Sequence, residues 1–238
     1  MCRMFGVVAT QPVALHAFLW EGARSLAALS SEHCDGWGIA LHDASAWSVE
    51  KRPTCAGQCA QYREIASTAT AAHAIAHIRK KTVGETKLSN THPFRRDRFV
   101  FAHNGTMPGV ATLQARTSRS RLAEIAGDTD SERLFAFILT SVDDAPSLSQ
   151  GVARATAELR RGPAIGSASF LFSDGARMFA FRQGRTLFTM AHQRAAIVAS
   201  EPLTSDAWRE LPDGSLTELV SGECRPCDVD VPSSRRAA

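Results

Sequence analysis

Apolar residues crowd the start of the chain. Met4-Phe5-Gly6-Val7-Val8-Ala9 form a nearly unbroken run within residues 3–10, the pattern of a strand buried on both faces. Pro12 predicts the opening of a helix, because a first-turn proline lacks only an N–H that would be unpaired there anyway. Leu15, Phe18/Leu19, Gly22, Leu26 and Leu29 then recur every three or four residues, one apolar face over about four turns. Asp35-Gly36 feeds a strand, Trp37-Gly38-Ile39-Ala40-Leu41-His42, and a second strand over 46–51 pairs with it across Asp43-Ala44-Ser45. A glycine inside a strand weakens it unless backbone or ligand must come close. Residues 59–68 read as a helix. Residues 71–79, Ala-Ala-His-Ala-Ile-Ala-His-Ile-Arg, fit either period, and their shortness between two loop signals favours a strand.

Residues 80–98 are polar, with Gly84, Asn90, Pro93 and three arginines, a length that a compact domain uses for something. Phe99-Val100-Phe101-Ala102 resumes a strand that stops at His103-Asn104-Gly105. Helices follow over 118–126, 130–141 and 150–161, the second with Asp130 or Ser131 as its cap and the third ended by Gly162-Pro163. Strands are then expected over 168–172, 177–182, 186–190, 195–200 and 216–220, with turns at Asp174-Gly175 and Gln183-Gly184. Residues 229–238 read as a frayed tail, and residues 1–228 as one domain without repeat or linker. Strands, helices, a polar segment, helices and strands again suit an α+β class, two sheets covered by helices in α-β-β-α layers.

With 44% hydrophobic and 21% charged residues, 238 residues can bury a sizeable core. A net charge of +3 is too mild to argue for nucleic acid. The local clusters Arg95, Arg96, Arg98 and Arg116, Arg119, Arg121 read as solvated loop surface. The absence of a basic leader and of about 18 consecutive apolar residues predicts a soluble cytoplasmic protein with no membrane partner. Six cysteines in such a chain are expected as reduced thiols.

Candidate chemistry begins at Met1-Cys2-Arg3-Met4-Phe5-Gly6. Removal of Met1 would make Cys2 N-terminal, placing a thiol and a free amine on one carbon. An α-amine with a pKa of about 8 can serve as the sulfur's own base, and no separate histidine is required. Taken alone, Cys2 reads equally as a small residue of a buried strand.

Further polar groups sit at strand ends, and together they resemble the class-II glutamine amidotransferases, N-terminal-nucleophile (Ntn) hydrolases, in particular their small stand-alone members. The match comprises Met-Cys-Arg-Met-Phe-Gly, Asp-Gly-Trp-Gly-Ile-Ala from Asp35, His-Ile-Arg-x-x-Thr-Val-Gly from His77, Asn-Thr-His-Pro-Phe from Asn90, Phe-Ala-His-Asn-Gly-Thr from Phe101 and Asp-Thr-Asp-Ser-Glu from Asp128. Phe-Leu-Phe-Ser-Asp-Gly from Phe170 and Val-Ala-Ser-Glu-Pro-Leu-Thr at 198–204 resemble the second half of the same domain more weakly. The resemblance implies the Ntn-hydrolase fold, with two mainly antiparallel sheets, and no cofactor or metal. It implies that Cys2 attacks the side-chain amide of glutamine, that Asn104 and Gly105 supply the oxyanion donors, and that ammonia leaves behind a γ-glutamyl thioester. It implies that Arg79 grips the α-carboxylate, that Asp130 holds the α-ammonium, and that backbone groups of Thr82 and Val83 line the pocket.

Each of these residues has a plainer reading. Arg79 alone is an ion-pair residue, Asp130 a helix cap, Asn104-Gly105 a hairpin turn and Trp37 core. His77 and His103 read as hydrogen-bonding scaffold rather than bases. Where many relatives carry a small residue two places after the arginine, this chain has Lys80-Lys81, which bears on substrate identity. About 238 residues leave no room for an ammonia-consuming synthase beside the domain, so a separate partner accepts the ammonia or the protein is simply an amidohydrolase. An alternative substrate is a small γ-glutamyl pathway intermediate; oligomeric state is not readable. A different class, a zinc-binding interaction module, would draw on Cys224-Arg225-Pro226-Cys227 with Cys55, Cys59 and His33-Cys34.

Overall fold

The computed structural model describes residues 2–227 apart from 44, 163, 164 and 193. In chain order its strands are β1 (Arg3–Ala14), β2 (Trp37–His42), β3 (Trp47–Arg52), β4 (Thr70–Ile78), β5 (Phe94–Arg96), β6 (Phe99–Asn104), β7 (Ser169–Ser173), β8 (Met178–Phe181), β9 (Phe188–His192), β10 (Ala195–Ala199), β11 (Arg209–Glu210), β12 (Leu216–Val220) and β13 (Glu223–Pro226). The α-helices are α1 (Leu26–Leu29), α2 (Ala60–Thr68), α3 (Ala111–Gln114), α4 (Arg119–Ala123), α5 (Asp130–Asp143) and α6 (Leu148–Arg161). One sheet runs β11-β9-β10-β1-β4-β2-β3 and the other β13-β12-β8-β7-β6-β5, each antiparallel at the pairings described.

The unbroken apolar run of β1 follows from its central place. Side chains alternate across a strand, so Met4 and Val8 point between the two sheets while Phe5 and Val7 point to the helical side. Strand β6 repeats the division, with Val100 and Ala102 between the sheets and Phe99 and Phe101 under α5 and α6. Tyr62 of α2 covers Trp37 edge-on at 5.1 Å, which makes Trp37 a core residue. The layers are therefore helices, sheet, sheet, helices.

Several expectations are corrected. Pro12 does not open a helix: β1 continues to Ala14, and its register on β4 shifts between Val8 and Val13, so the proline falls where the ladder is already interrupted. The apolar periodicity that followed it still buries Leu15, Phe18, Leu19 and Leu26, but through a wide helical turn at Ala17–Glu21 and the short α1. Asp174-Gly175 joins β7 to β8 as a hairpin, whereas Gln183-Gly184 carries the chain from one sheet to the other. Thr129, not Asp130 or Ser131, caps α5, its hydroxyl accepting from Glu132 N–H at 3.2 Å.

Two arginines expected on solvated surface are half-buried and ion-paired. Arg96 pairs with the buried Glu132, and Arg121 donates to Asp143 at 2.8 Å and to Glu124 at 3.0 Å. Cys34 and Cys55 are joined as a disulfide, against the expectation of reduced thiols. The turn at Ala56–Gln58 packs on Ser30, whose hydroxyl accepts from Gly57 N–H at 2.8 Å, and this brings the two cysteines together. The zinc set is thereby divided, since Cys224 and Cys227 lie at the β13 edge of the other sheet, and no metal-holding group of His, Cys, Asp and Glu occurs among the described residues. No helix among the described residues is long and apolar enough to cross a membrane. The expected removal of Met1, the 229–238 tail and the helix stop at Pro163 fall outside the described residues.

Candidate active site

Strand β1 begins beside the end of β4, with Arg3 opposite Ile78, so Cys2 lies against Arg79 and Lys80. Its Sγ accepts from Lys80 N–H at 3.4 Å and donates to the Lys80 carbonyl at 3.5 Å. Burial pushes the thiol pKa up, against the smaller opposing pull of the Lys80 backbone and the Arg79 charge. A resting thiolate is therefore disfavoured, and a base is needed to remove the proton.

Arg79 is 3% exposed and continues the line of β4, donating its N–H to the Gly36 carbonyl at 2.7 Å. Its guanidinium donates Nη1 to the Glu85 carbonyl at 3.0 Å and Nη2 to the Val83 carbonyl at 2.9 Å. Val83 thus serves the site by seating Arg79. Burial lowers the Arg79 pKa, opposed by the Cys2, Asp35, Asp128 and Asp130 groups. A guanidinium carries five N–H donors, and the two named carbonyls leave others for a ligand. The loop after Arg79 is held by Asp35, which sat within a quoted motif without a role: Oδ2 accepts from Lys81 N–H at 2.8 Å and Oδ1 from Thr86 Oγ1 at 3.3 Å. Thr82 accepts from Thr106 Oγ1 at 3.2 Å, so this loop touches the segment after β6.

That segment, 104–107, carries the other half of the site. Asn104 is buried, and its Oδ1 has no hydrogen-bond partner among the described residues. Asn104-Gly105 is not a hairpin turn; β6 pairs onward with β5 and β7. Thr106 N–H donates to Ser167 Oγ at 3.2 Å and Met107 N–H to Asp130 Oδ2 at 2.7 Å. Gly105 lies against Ser167 and His103: a Cβ there would come within 2.7 Å of both the Ser167 carbonyl carbon and His103 Nε2. Asp130 is buried at the start of α5 and also accepts from Ser131 N–H at 2.9 Å.

The histidines form the seam between the sheets. His77 Nε2–H donates to the His103 carbonyl at 3.3 Å, joining β4 to β6. His103 donates Nε2–H to the Ser167 carbonyl at 3.2 Å and accepts at Nδ1 from Ser131 Oγ at 2.8 Å. Burial holds His77 down to about 3 and His92 well below the ordinary value. Burial also lowers His103, against the pull of Asp130. Neutral, hydrogen-bonded rings suit scaffold rather than acid–base work. Gly38 admits the loop that follows: a Cβ there would strike the His92 carbonyl and approach Pro93 Cδ to 2.7 Å. Lys51 clamps that loop, donating Nζ to the Thr91 and Pro93 carbonyls at 2.7 and 3.3 Å, and burial pulls its pKa to about 8.

Asn90 and Asp128 sat within quoted motifs without a role; in the structure they bond to each other between the two halves of the site. Their signal in sequence was only a polar loop and an acidic pair.

Two antiparallel sheets stacked between helical layers, with a cysteine leading the first central strand, define the architecture of the Ntn hydrolases. A profile of the class-II glutamine amidotransferases matches residues 1–194, and the chain belongs to that family. A protein described as a glutamine aminotransferase class-II domain protein, from Silicibacter pomeroyi, superposes with a TM-score of 0.70 at 22% identity, over 94% of this chain and 97% of the other. The glutamine phosphoribosylpyrophosphate amidotransferase of B. subtilis gives 0.72 at 20% identity, over 94% of this chain and 48% of that one. An uncharacterized protein of Methanocaldococcus jannaschii is 26% identical over 262 residues, 94% of this chain and 70% of its own length.

Proposed function

We propose that the protein hydrolyses the side-chain amide of glutamine with Cys2 as nucleophile, after Met1 is removed. The observation that carries this reading is the seating of Cys2 Sγ on the Lys80 backbone beside the buried Arg79. The α-amine of Cys2 takes the thiol proton as sulfur bonds to the amide carbon. The oxyanion forms beside the Asn104 amide and Gly105 N–H, donors of the kind whose loss costs about 100- to 1000-fold in rate. The ammonium returns its proton to the leaving nitrogen, the C–N bond breaks and ammonia departs. Water then adds to the γ-glutamyl thioester, giving its proton to the amine, and glutamate and the thiol are restored. Arg79 binds the α-carboxylate and Asp130 the α-ammonium, with Thr82 and Val83 in the same pocket. The protein acts in the cytoplasm, and the ammonia passes to a separate acceptor enzyme or to solvent.

A second reading, cleavage of a larger γ-glutamyl amide, draws on Lys80 and Lys81, two exposed residues directly after Arg79. Intact-mass analysis after incubation with diazo-oxo-norleucine tests the nucleophile. One adduct on Cys2 of a chain lacking Met1 is expected; retained Met1, or undiminished turnover in Cys2→Ala, would overturn the mechanism. A panel of γ-glutamyl amides ranks the two substrates.

A further inference from the structure

Asn90 is fully buried, and both ends of its side-chain amide are engaged. Nδ2 donates to the Glu85 carbonyl at 2.9 Å and to Asp128 Oδ1, while Oδ1 accepts from Asp128 N–H at 3.0 Å. The Glu85 carbonyl is also the acceptor that seats Arg79 Nη1. Two residues beyond Asp128, Asp130 opens α5 and holds Met107 N–H. One amide therefore spans the loop that seats Arg79 and the loop that leads into Asp130. Packing around it is closed: a Cβ on Gly84 would come 2.5 Å from Asp128 Oδ1 and 2.9 Å from Asn90 Nδ2, and one on Gly127 would strike Asn90 Oδ1.

We propose that Asn90 is a positioning residue that sets the spacing between Arg79 and Asp130, and through it the recognition of the amino-acid end of the substrate. It touches neither the sulfur nor the scissile amide, so its contribution lies in binding. The inference rests on the assignment of Arg79 and Asp130 to the α-carboxylate and α-ammonium.

The test compares two reagents at Cys2: diazo-oxo-norleucine, which carries glutamine's α-groups, and iodoacetamide, which carries neither. Asn90→Asp removes the Nδ2 donor and sets a second carboxylate against Asp128. Its inactivation by the diazo compound is expected to slow roughly 10- to 100-fold, from two lost hydrogen bonds and a like-charge contact. KM for glutamine should rise in step with kcat little changed, and the iodoacetamide rate should stay within about 2-fold, a neutral result for a reagent that needs no α-group recognition. Adding Asp128→Asn removes the like-charge contact and restores a donor–acceptor pair between the two side chains, so it should recover the part of the loss owed to that contact, while the Glu85 carbonyl stays without its amide donor. Asp128→Ala, at a side chain 44% exposed and so harmless to folding, should slow the diazo compound about 5-fold, the loss of one such bond. Equal slowing of both reagents, or no slowing by the diazo compound in either single variant, would overturn the proposal. So would a double variant no better than Asn90→Asp. Failure of the underlying reading shows separately, as a wild-type chain that takes no diazo adduct at Cys2.

Discussion

Replacing Gly105 by alanine tests the proposed oxyanion donors most directly. The added methyl would sit 2.7 Å from the Ser167 carbonyl carbon and 2.7 Å from His103 Nε2, and closer still to the Ser167 oxygen. Neither neighbour can yield easily. Ser167 is tied to Thr106 through backbone and side chain at 3.1 and 3.2 Å, and His103 is fixed at both ring nitrogens. Relief to an ordinary 3.4 Å contact requires the 104–106 backbone to move by more than about 1 Å, because the Ser167 oxygen is the limiting contact. A misplacement near 1 Å costs on the order of 100-fold in rate, and loss of one oxyanion donor about 100- to 1000-fold. Overpacking of this kind costs about 1–3 kcal/mol of stability. Gly105→Ala is therefore expected to remain folded by circular dichroism and to lose about 100- to 1000-fold in kcat for glutamine hydrolysis, with KM changed by less than about 3-fold because Arg79 and Asp130 are on other segments. A variant that folds and keeps kcat within about 3-fold of wild type would refute the placement of the oxyanion donors at this loop.

Two further predictions concern stability. His77 stays neutral in the fold down to about pH 3, whereas the unfolded chain takes up its proton near 6.5. The unfolded state thus binds more protons between those values, so stability is full above about pH 6.5 and falls toward pH 3 by about 1.4 kcal/mol per pH unit for this ring. Urea unfolding between pH 7 and pH 4 should show at least that slope, since the buried His92 and His103 add to it, and His77→Gln should lower the slope by about 1.4 kcal/mol per pH unit; an unchanged slope would exclude His77 as a contributor. Thr129→Ala removes the hydroxyl that caps α5 and is expected to cost about 1 kcal/mol in the same assay. An unshifted urea midpoint would show that the cap carries no weight.

Much of the site was legible because its motifs bundle residue types whose chemistry is specific at fixed spacing. Asn90-Thr91-His92-Pro93 and Asp128-Thr129-Asp130 were visible as motifs, but nothing in either predicts that Asn90 bonds to Asp128, since they are brought together only by packing. Asp35 likewise stands in a motif without a role until its carboxylate meets Lys81 and Thr86. Pro12 misled because a local preference for a helix start lost to the pairing of Val13 and Ala14 with β4, which carries β1 past the proline.

By itself, the sequence determined the class of fold and named the candidate reactive groups. Alternating or unbroken apolar runs dictate which strands are buried on one face or two, and the order of six motifs marks the family. Tertiary structure decided which chain segments meet: Cys2 with Lys80, Asp130 with Met107, Cys34 with Cys55, and Gln183-Gly184 crossing between sheets rather than closing a hairpin. These depend on contacts between residues far apart along the chain, and local periodicity carries no information about such pairs until the two sheets stack and exclude the alternatives.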